Sequence, residues 1–286
     1  MPFNYFSKME HINFNGRIYL LNEPIVEAAN RGLRYGDGLF ETMKVLEGNI
    51  IYETDHLERL WRGLQVLQFD LPKYFTKGTL IRSIKQLIEK NNCIPAARIR
   101  LNVFRGSGGL YDAVNHFPNY VVEAMPLTAM ETINSNGLVL GIYEEIAKSC
   151  DILSNIKHNN YLGYAMAALK AKKEKWNDAI VLNQFGRIAD STIANIFIVK
   201  NNEIFTPALS EGCVAGIIRK NLIDFLLQNN WIIKDEPISE ELLFDADEVF
   251  LTNSIYNIRW VQRVNDVSYG NAVTQKIYKD FTSTIH

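Results

Sequence analysis

Read from its start, HINFNGRIYLL alternates polar and apolar residues about Asn15-Gly16, the pair that most favours a tight type I′ turn, and so predicts an opening β-hairpin. Asp55 with Glu58 three residues on has the form of a helix N-cap and its reciprocal partner, and Leu57, Leu60, Trp61, Leu64 and Leu67 recur behind it at helical spacing. Leu80, Ile84, Leu87 and Ile88 mark a second amphipathic helix that ends near Asn91-Asn92. Strand-like runs follow around Arg98 to Phe104 and Tyr120 to Met125. The first half thus predicts an α/β layer.

From Pro126 to Gly137 periodicity lapses and Thr, Asn and Ser accumulate, which predicts an interdomain connection over 127–136 between a domain at 1–126 and another at 137–286. The second half opens with a strand near Leu138 to Tyr143 and a helix from about Tyr161 to Lys175. A strand over Ala179 to Leu182 follows, with turns at 183–186 and at Asn201-Asn202, the latter joining Ile196 to Val199 and Ile204 to Thr206. A helix from about Ala215 to Gln228, a strand at Glu248 to Thr252 and a terminal helix complete the pattern. No repeat, low-complexity tract or charge run interrupts it.

Composition narrows the function classes. Apolar residues make up 47% and charged residues 22% of the 286, the mix of a globular protein. Thirty basic against 32 acidic residues leave a charge of -2, so no overall field draws the chain to nucleic acid or to an anionic membrane, and a small-molecule partner is expected. The opening MPFNYFSKMEH lacks the apolar stretch of a signal peptide, and no run approaches the roughly 20 residues of a membrane span, so a cytoplasmic protein is expected. Cys93, Cys150 and Cys213 are odd in number and widely spaced; they suggest a reducing compartment, no disulfide framework and no metal.

HExxH, GxSxG, GxxxxGK[ST] and a complete GxGxxG are all absent, and the nearest thing to a phosphate loop, Arg105-Gly106-Ser107-Gly108-Gly109, lacks the third spaced glycine. Six other segments carry the chemistry: RGLRYGDGLFETMKV (31–45), HLERL (56–60), NIKHNNYLGYAMAAL (155–169), NQFGRIADSTIANIFIV (183–199), VAGIIRKNLI (214–223) and ADEVFLTNSIYNI (246–258). Taken singly, Gly36 and Gly38 about Asp37 would make a turn in any fold. On a helical projection Arg59 falls nearly opposite the apolar face, either as a solvated arginine or as a guanidinium offering paired hydrogen bonds to phosphate oxygens. Gly216 starts an apolar-periodic helix whose first N–H groups, at Ile217 and Ile218, suit an anion.

In order and spacing the six segments resemble the class IV aminotransferases of the D-amino-acid and branched-chain type along nearly the whole chain. The resemblance implies a mixed α+β, two-domain fold, with a small N-terminal α/β sandwich and a larger C-terminal pseudo-barrel domain that binds pyridoxal 5'-phosphate. It makes Lys157 the Schiff-base lysine, which also shuttles the substrate's α-proton. Arg59, Gly216, Ile217, Ile218 and Ser254 would surround the phosphate, Tyr161 would hydrogen-bond the ring oxygen, and Tyr161 would share a face with Lys157 if its helix begins early enough. Asp190 occupies the place of a glutamate that faces the pyridine nitrogen, one methylene shorter, so that either the backbone approaches more closely or a water bridges the gap. Tyr35 and Phe40 would line the pocket, and Arg105 would hold a substrate carboxylate. The implied partners are small amino and keto acids, and the implied assembly is a homodimer.

Two outcomes are compatible with the resemblance. Amino transfer to a 2-keto acid ranks first; release of pyruvate from 4-amino-4-deoxychorismate, as in the lyase branch, ranks second. A catalytically inactive cofactor-binding relative is a third reading, prompted by Asp190.

Overall fold

The computed structural model describes residues 9–111, 116–128 and 132–285. They form two compact units. One holds the described residues through 128 together with Ile156–Asn160; the other holds 132–155 and everything described from Tyr161 onward. Residues 129–131 of the expected connection, and 1–8 of the opening segment, lie outside the described residues.

The first unit begins with the expected hairpin, β1 (His11–Phe14) and β2 (Arg17–Leu20), turned at Asn15 and Gly16 with φ of 49° and 85°. A single-turn helix α1 (Arg31–Tyr35), β3 (Gly38–Leu46), β4 (Asn49–Ile50), α2 (Glu53–Val66), α3 (Lys77–Lys90), β5 (Ala96–Arg105) and β6 (Pro118–Pro126) complete it. The strands make a six-stranded antiparallel sheet in the order β2-β1-β6-β5-β3-β4. Side chains alternate between faces along a strand, and one face supplies Leu39, Met43 and Val45 from β3, Ile99, Leu101 and Val103 from β5, and Tyr120, Val122 and Ala124 from β6. These pack with Leu57, Leu60 and Leu64 of α2 and Leu80, Ile84, Leu87 and Ile88 of α3. Each large aliphatic side chain sealed there contributes roughly 1.5–3 kcal/mol.

Helix α2 departs from the expected cap. It starts at Glu53 behind Tyr52, whose φ is 54°, and Asp55 lies inside the first turn rather than at its cap. There Glu53 and Asp55 act on the positive end of the helix dipole instead.

The second unit contains β7 (Leu138–Lys148), α4 (Leu162–Lys173), β8 (Asp178–Asn183), β9 (Ile188–Ser191), β10 (Asn195–Lys200), β11 (Glu203–Pro207), α5 (Ile217–Gln228), β12 (Ile233–Glu236), α6 (Glu240–Phe244), β13 (Glu248–Asn253), β14 (Asn257–Val264), β15 (Val267–Ser268) and α7 (Ala272–Thr282). Its strands form one nine-stranded mixed sheet, β12-β11-β10-β13-β14-β7-β8-β9, with β15 on β14. Every residue of β8 and β9 is buried. That explains why periodicity does not reveal β9: IADS is a four-residue strand covered on both faces, and it shows no alternation.

Candidate active site

In the first unit the site is built on the start of β3. The segment Ile156–Asn160 runs beside it: Phe40 N–H donates to Lys157 O at 2.8 Å, Asn159 N–H donates to Gly38 O at 2.8 Å, and Leu39 bridges His158 in antiparallel fashion. Gly38 makes this approach possible, because a Cβ there would collide with Val103 O and sit 2.6 Å from Asn159 Nδ2. Gly36, in the left-handed region at φ 65°, closes α1 just where a Cβ would lie 3.2 Å from Asn160 N. Asn159 Nδ2 further donates to Asn102 Oδ1 at 2.8 Å. Lys157 is thereby tied to a rigid strand although it lies outside any helix. Helix α4 starts at Leu162, so the helical spacing expected to align Lys157 with Tyr161 does not apply.

The half-buried Lys157 places its Nζ 4.5 Å from the centre of the Phe40 ring. The guanidinium of Arg100 lies 4.0 Å from the same ring centre. The sequence points to Arg105 as the substrate cation and gives Arg100 no prominence, though its position two strand residues from Asn102, on the Phe40 face, follows from alternation in RIRLN. Arg105 itself is not a loop arginine. It ends β5, is buried, stacks 4.4 Å over Phe69, donates to Leu67 O and meets His116 Nδ1 at 3.3 Å and Asp37 at 3.6 Å. Tyr35 ends α1 and is exposed, with Arg31 over its ring.

Arg59 is likewise not where helical projection places it. It is buried, with Nε donating to Glu41 Oε1 at 2.8 Å and Nη2 to Glu41 Oε2 at 2.5 Å. The buried face of α2 is broad, taking in His56, Leu57, Arg59, Leu60, Gly63 and Leu64, because a carboxylate inside the unit compensates the guanidinium. Burial alone would raise the Glu41 carboxyl, but the charge of Arg59 and the hydrogen bonds from His56 and Arg59 outweigh it and hold it at about 2.

In the second unit Asp190 sits on β9, 2% exposed. Tyr164 Oη donates to Oδ1 at 2.8 Å and to Oδ2 at 3.0 Å, Lys148 Nζ donates to Oδ2 at 3.2 Å, and Val214 N–H donates to Oδ2 at 3.0 Å. Burial, followed by the Asp190 charge, drives the Tyr164 phenol well above its ordinary value, so it remains a donor. Tyr161 caps α4, packs its ring against that of Tyr164 at a 33° tilt with centres 4.4 Å apart, and donates to Thr192 O at 3.1 Å. Gly216 is the N-cap of α5, extended and without a side-chain cap, and no acidic residue stands in the first turn where the N–H groups of Ile217 and Ile218 emerge. A Cβ on Gly216 would run into Asn195 Oδ1, which is why glycine holds the position. Ser254 stands in the β13–β14 turn, where Asn253 Oδ1 accepts from Ile255 N–H and Tyr256 N–H. Among the described residues no group of three or more His, Cys, Asp or Glu side chains is gathered to hold a metal ion.

Comparison with known proteins places this geometry. The family model for amino-transferase class IV matches residues 38–264. An aminodeoxychorismate lyase of Vibrio harveyi is 28% identical over 252 residues, 86% of this chain and 89% of that one. A putative branched-chain-amino-acid aminotransferase of Methanocaldococcus jannaschii is 28% identical over 277 residues, 94% of each. Among solved structures, the branched-chain amino acid aminotransferase of Escherichia coli shares the fold at a TM-score of 0.86 and 23% identity, with 96% of this chain and 94% of that chain covered.

Proposed function

Since the chain belongs to the class IV aminotransferases, we propose that it transfers the amino group of an amino acid to a 2-keto acid, using pyridoxal phosphate held at Lys157. The observation that carries the reading is Lys157 itself: an amine held by backbone hydrogen bonds to β3 and placed over the Phe40 ring, in the lysine segment of the family.

The residues present suit the cofactor. A dianionic phosphate needs a fixed cation and several N–H donors, and the chain offers Arg59 in its Glu41 grip and an α5 start that no side chain caps. Ser254 offers a further hydroxyl in the second unit. When bound, the cofactor supplies an aldehyde carbon for amine exchange and a ring that takes up electron density from the substrate's α-carbon.

The protein's own work is to position and to move a proton. Lys157 Nζ would take up the substrate's α-proton and release it again as the amine exchange completes. Asp190 would face the ring nitrogen and favour its protonated form. Its Oδ2 is taken by Lys148, Val214 and a share of Tyr164, so Oδ1, with a single donor, has the lone pair for that task. Tyr161 already donates to Thr192 O, so serving the ring oxygen means accepting there or exchanging that bond. For the substrate carboxylate we take Arg100 in place of Arg105 because it shares the Phe40 ring with Lys157; its charge also acts on the Glu123 carboxyl opposite it on β6, as that of Arg105 does on Asp37. The same reading takes a homodimer as the assembly, which sedimentation tests.

The similarity to the Vibrio harveyi lyase over 86% of the chain supports the second reading, pyruvate release from 4-amino-4-deoxychorismate. Product analysis with D-alanine, L-leucine and aminodeoxychorismate separates the two. Borohydride reduction and peptide mapping tests the shared premise: the pyridoxyl adduct is expected on Lys157, and an adduct on any other lysine overturns it.

A further inference from the structure

We propose that Glu41 and His56 are positioning residues for the cofactor's phosphate, fixing the plane of the Arg59 guanidinium from within the first unit. The inference rests on the reading of Arg59 as the phosphate arginine.

An arginine side chain on a helix rotates about several bonds, and a guanidinium binds a phosphate well only when its planar fork is held at the right angle. Glu41 supplies that hold. Its two oxygens take Nε and Nη2 of Arg59 at 2.8 and 2.5 Å, a bidentate grip that fixes the plane. Glu41 is itself immobile, 1% exposed within β3, a strand paired to β5 along its length.

His56 completes the arrangement. Its Nδ1 lies 2.7 Å from Glu41 Oε2, the oxygen that also accepts from Arg59 Nη2. A carboxyl held at about 2 is an anion that only accepts, so Nδ1 carries the proton and donates. The other ring nitrogen, Nε2, is buried and makes no hydrogen bond. An imidazole with one orphaned nitrogen in a core costs stability that an aliphatic residue would not. What the histidine supplies is the bond to Glu41, on the same helix and three residues ahead of Arg59. The three side chains make one buried unit in which β3 sets the direction of a cation carried by α2.

A purely structural ion pair would stabilise the fold without distinguishing ligands, so the test reads a difference between two ligands. Full-length protein freed of cofactor is titrated with pyridoxal phosphate and with pyridoxal, which lacks the phosphate. Glu41→Gln puts an N–H where Arg59 needs an acceptor, and is expected to weaken pyridoxal phosphate about tenfold, the equivalent of one charge-assisted hydrogen bond, while pyridoxal is held as before. His56→Leu is expected to do the same more weakly, and His56→Asn, which keeps an N–H near the Nδ1 position, to restore the phosphate preference. An unchanged preference in Glu41→Gln and His56→Leu, with Arg59→Ala losing it, overturns the inference alone. An unchanged preference in Arg59→Ala overturns the reading of Arg59 and this inference with it. Should Glu41→Gln not fold, the two His56 variants decide the matter.

Discussion

Lys148 Nζ lies 3.2 Å from Asp190 Oδ2, with the carboxylate buried and the lysine side chain nearly so. Lys148, the Val214 N–H and Tyr164 Oη hold the carboxylate directly on β9. Neither Lys148 nor Tyr164 stands out in the sequence. One ends a strand and the other lies one helical turn beyond Tyr161.

Removing the cation from that pair leaves a buried carboxylate with only neutral donors. Lys148→Met is therefore expected to destabilise the protein on the order of 3 kcal/mol, as broken buried pairs do. Denaturant unfolding measures it, and a loss no larger than that of an exposed lysine would show that the pair contributes nothing.

Arg105 and Arg100 lie against different rings, Phe69 and Phe40. Arg105→Leu strips a donor from Leu67 O and a stacking partner from Phe69, and is expected to cost about 2 kcal/mol of stability with little change in KM. Arg100→Leu is expected to raise the amino-acid KM about tenfold through loss of a charge-assisted hydrogen bond. Steady-state kinetics beside thermal unfolding checks both, and the opposite pattern would restore Arg105 to the substrate role.

These arginines also show what the sequence conceals. Hairpins, amphipathic helices and the alternation of the first sheet are legible, because each follows from local periodicity and turn chemistry: Asn15-Gly16, the α3 leucines and the RIRLNVF run all form what they predict. The family segments that carry Lys157, Asp190 and Gly216 are legible through order and spacing. Burial of polar groups is not. Arg59 projects away from the leucines of α2, and only the tertiary position of Glu41 turns that direction inward. Segment 156–160 reads as part of the second half, yet its backbone joins β3 of the first unit, a pairing more than a hundred residues long in sequence.

Acid should expose the Glu41 cluster. Its folded carboxyl is held at about 2 against an ordinary value of 4.5, so the group stabilises the fold fully above about 4.5 and loses that contribution as pH falls from there towards 2. The difference amounts to on the order of 3 kcal/mol. Urea unfolding across pH 6 to 2 measures it. Glu41→Gln should be less stable at neutral pH and should show a shallower decline below 4.5; an identical slope would mean that Glu41 is not held as an anion.

The sharpest variants are at Asp190. Asp190→Asn keeps the volume but turns one oxygen into an N–H donor, and the site already presents Lys148, Val214 N–H and Tyr164 Oη as donors. Whichever way the amide turns, either a donor faces a donor or the side toward the ring nitrogen loses its acceptor. The variant is expected to lose stability and, if Asp190 has the proposed role of sustaining the ring as an electron sink, to lose turnover about a hundredfold or more. Asp190→Glu keeps the charge and adds one methylene to a side chain that is 2% exposed and pinned at three points. Extra volume in a packed strand costs typically about 1–3 kcal/mol, and the longer side chain moves the carboxylate off at least one of its clamps. The double variant Asp190→Glu with Tyr164→Phe, which removes the phenol oxygen from the path of the longer acid, is expected to recover part of the stability lost in Asp190→Glu. Thermal unfolding of the two singles and the double closes the cycle. Strictly additive losses would mean that Tyr164 and Asp190 do not act together, and would leave the clamp to Lys148 and Val214.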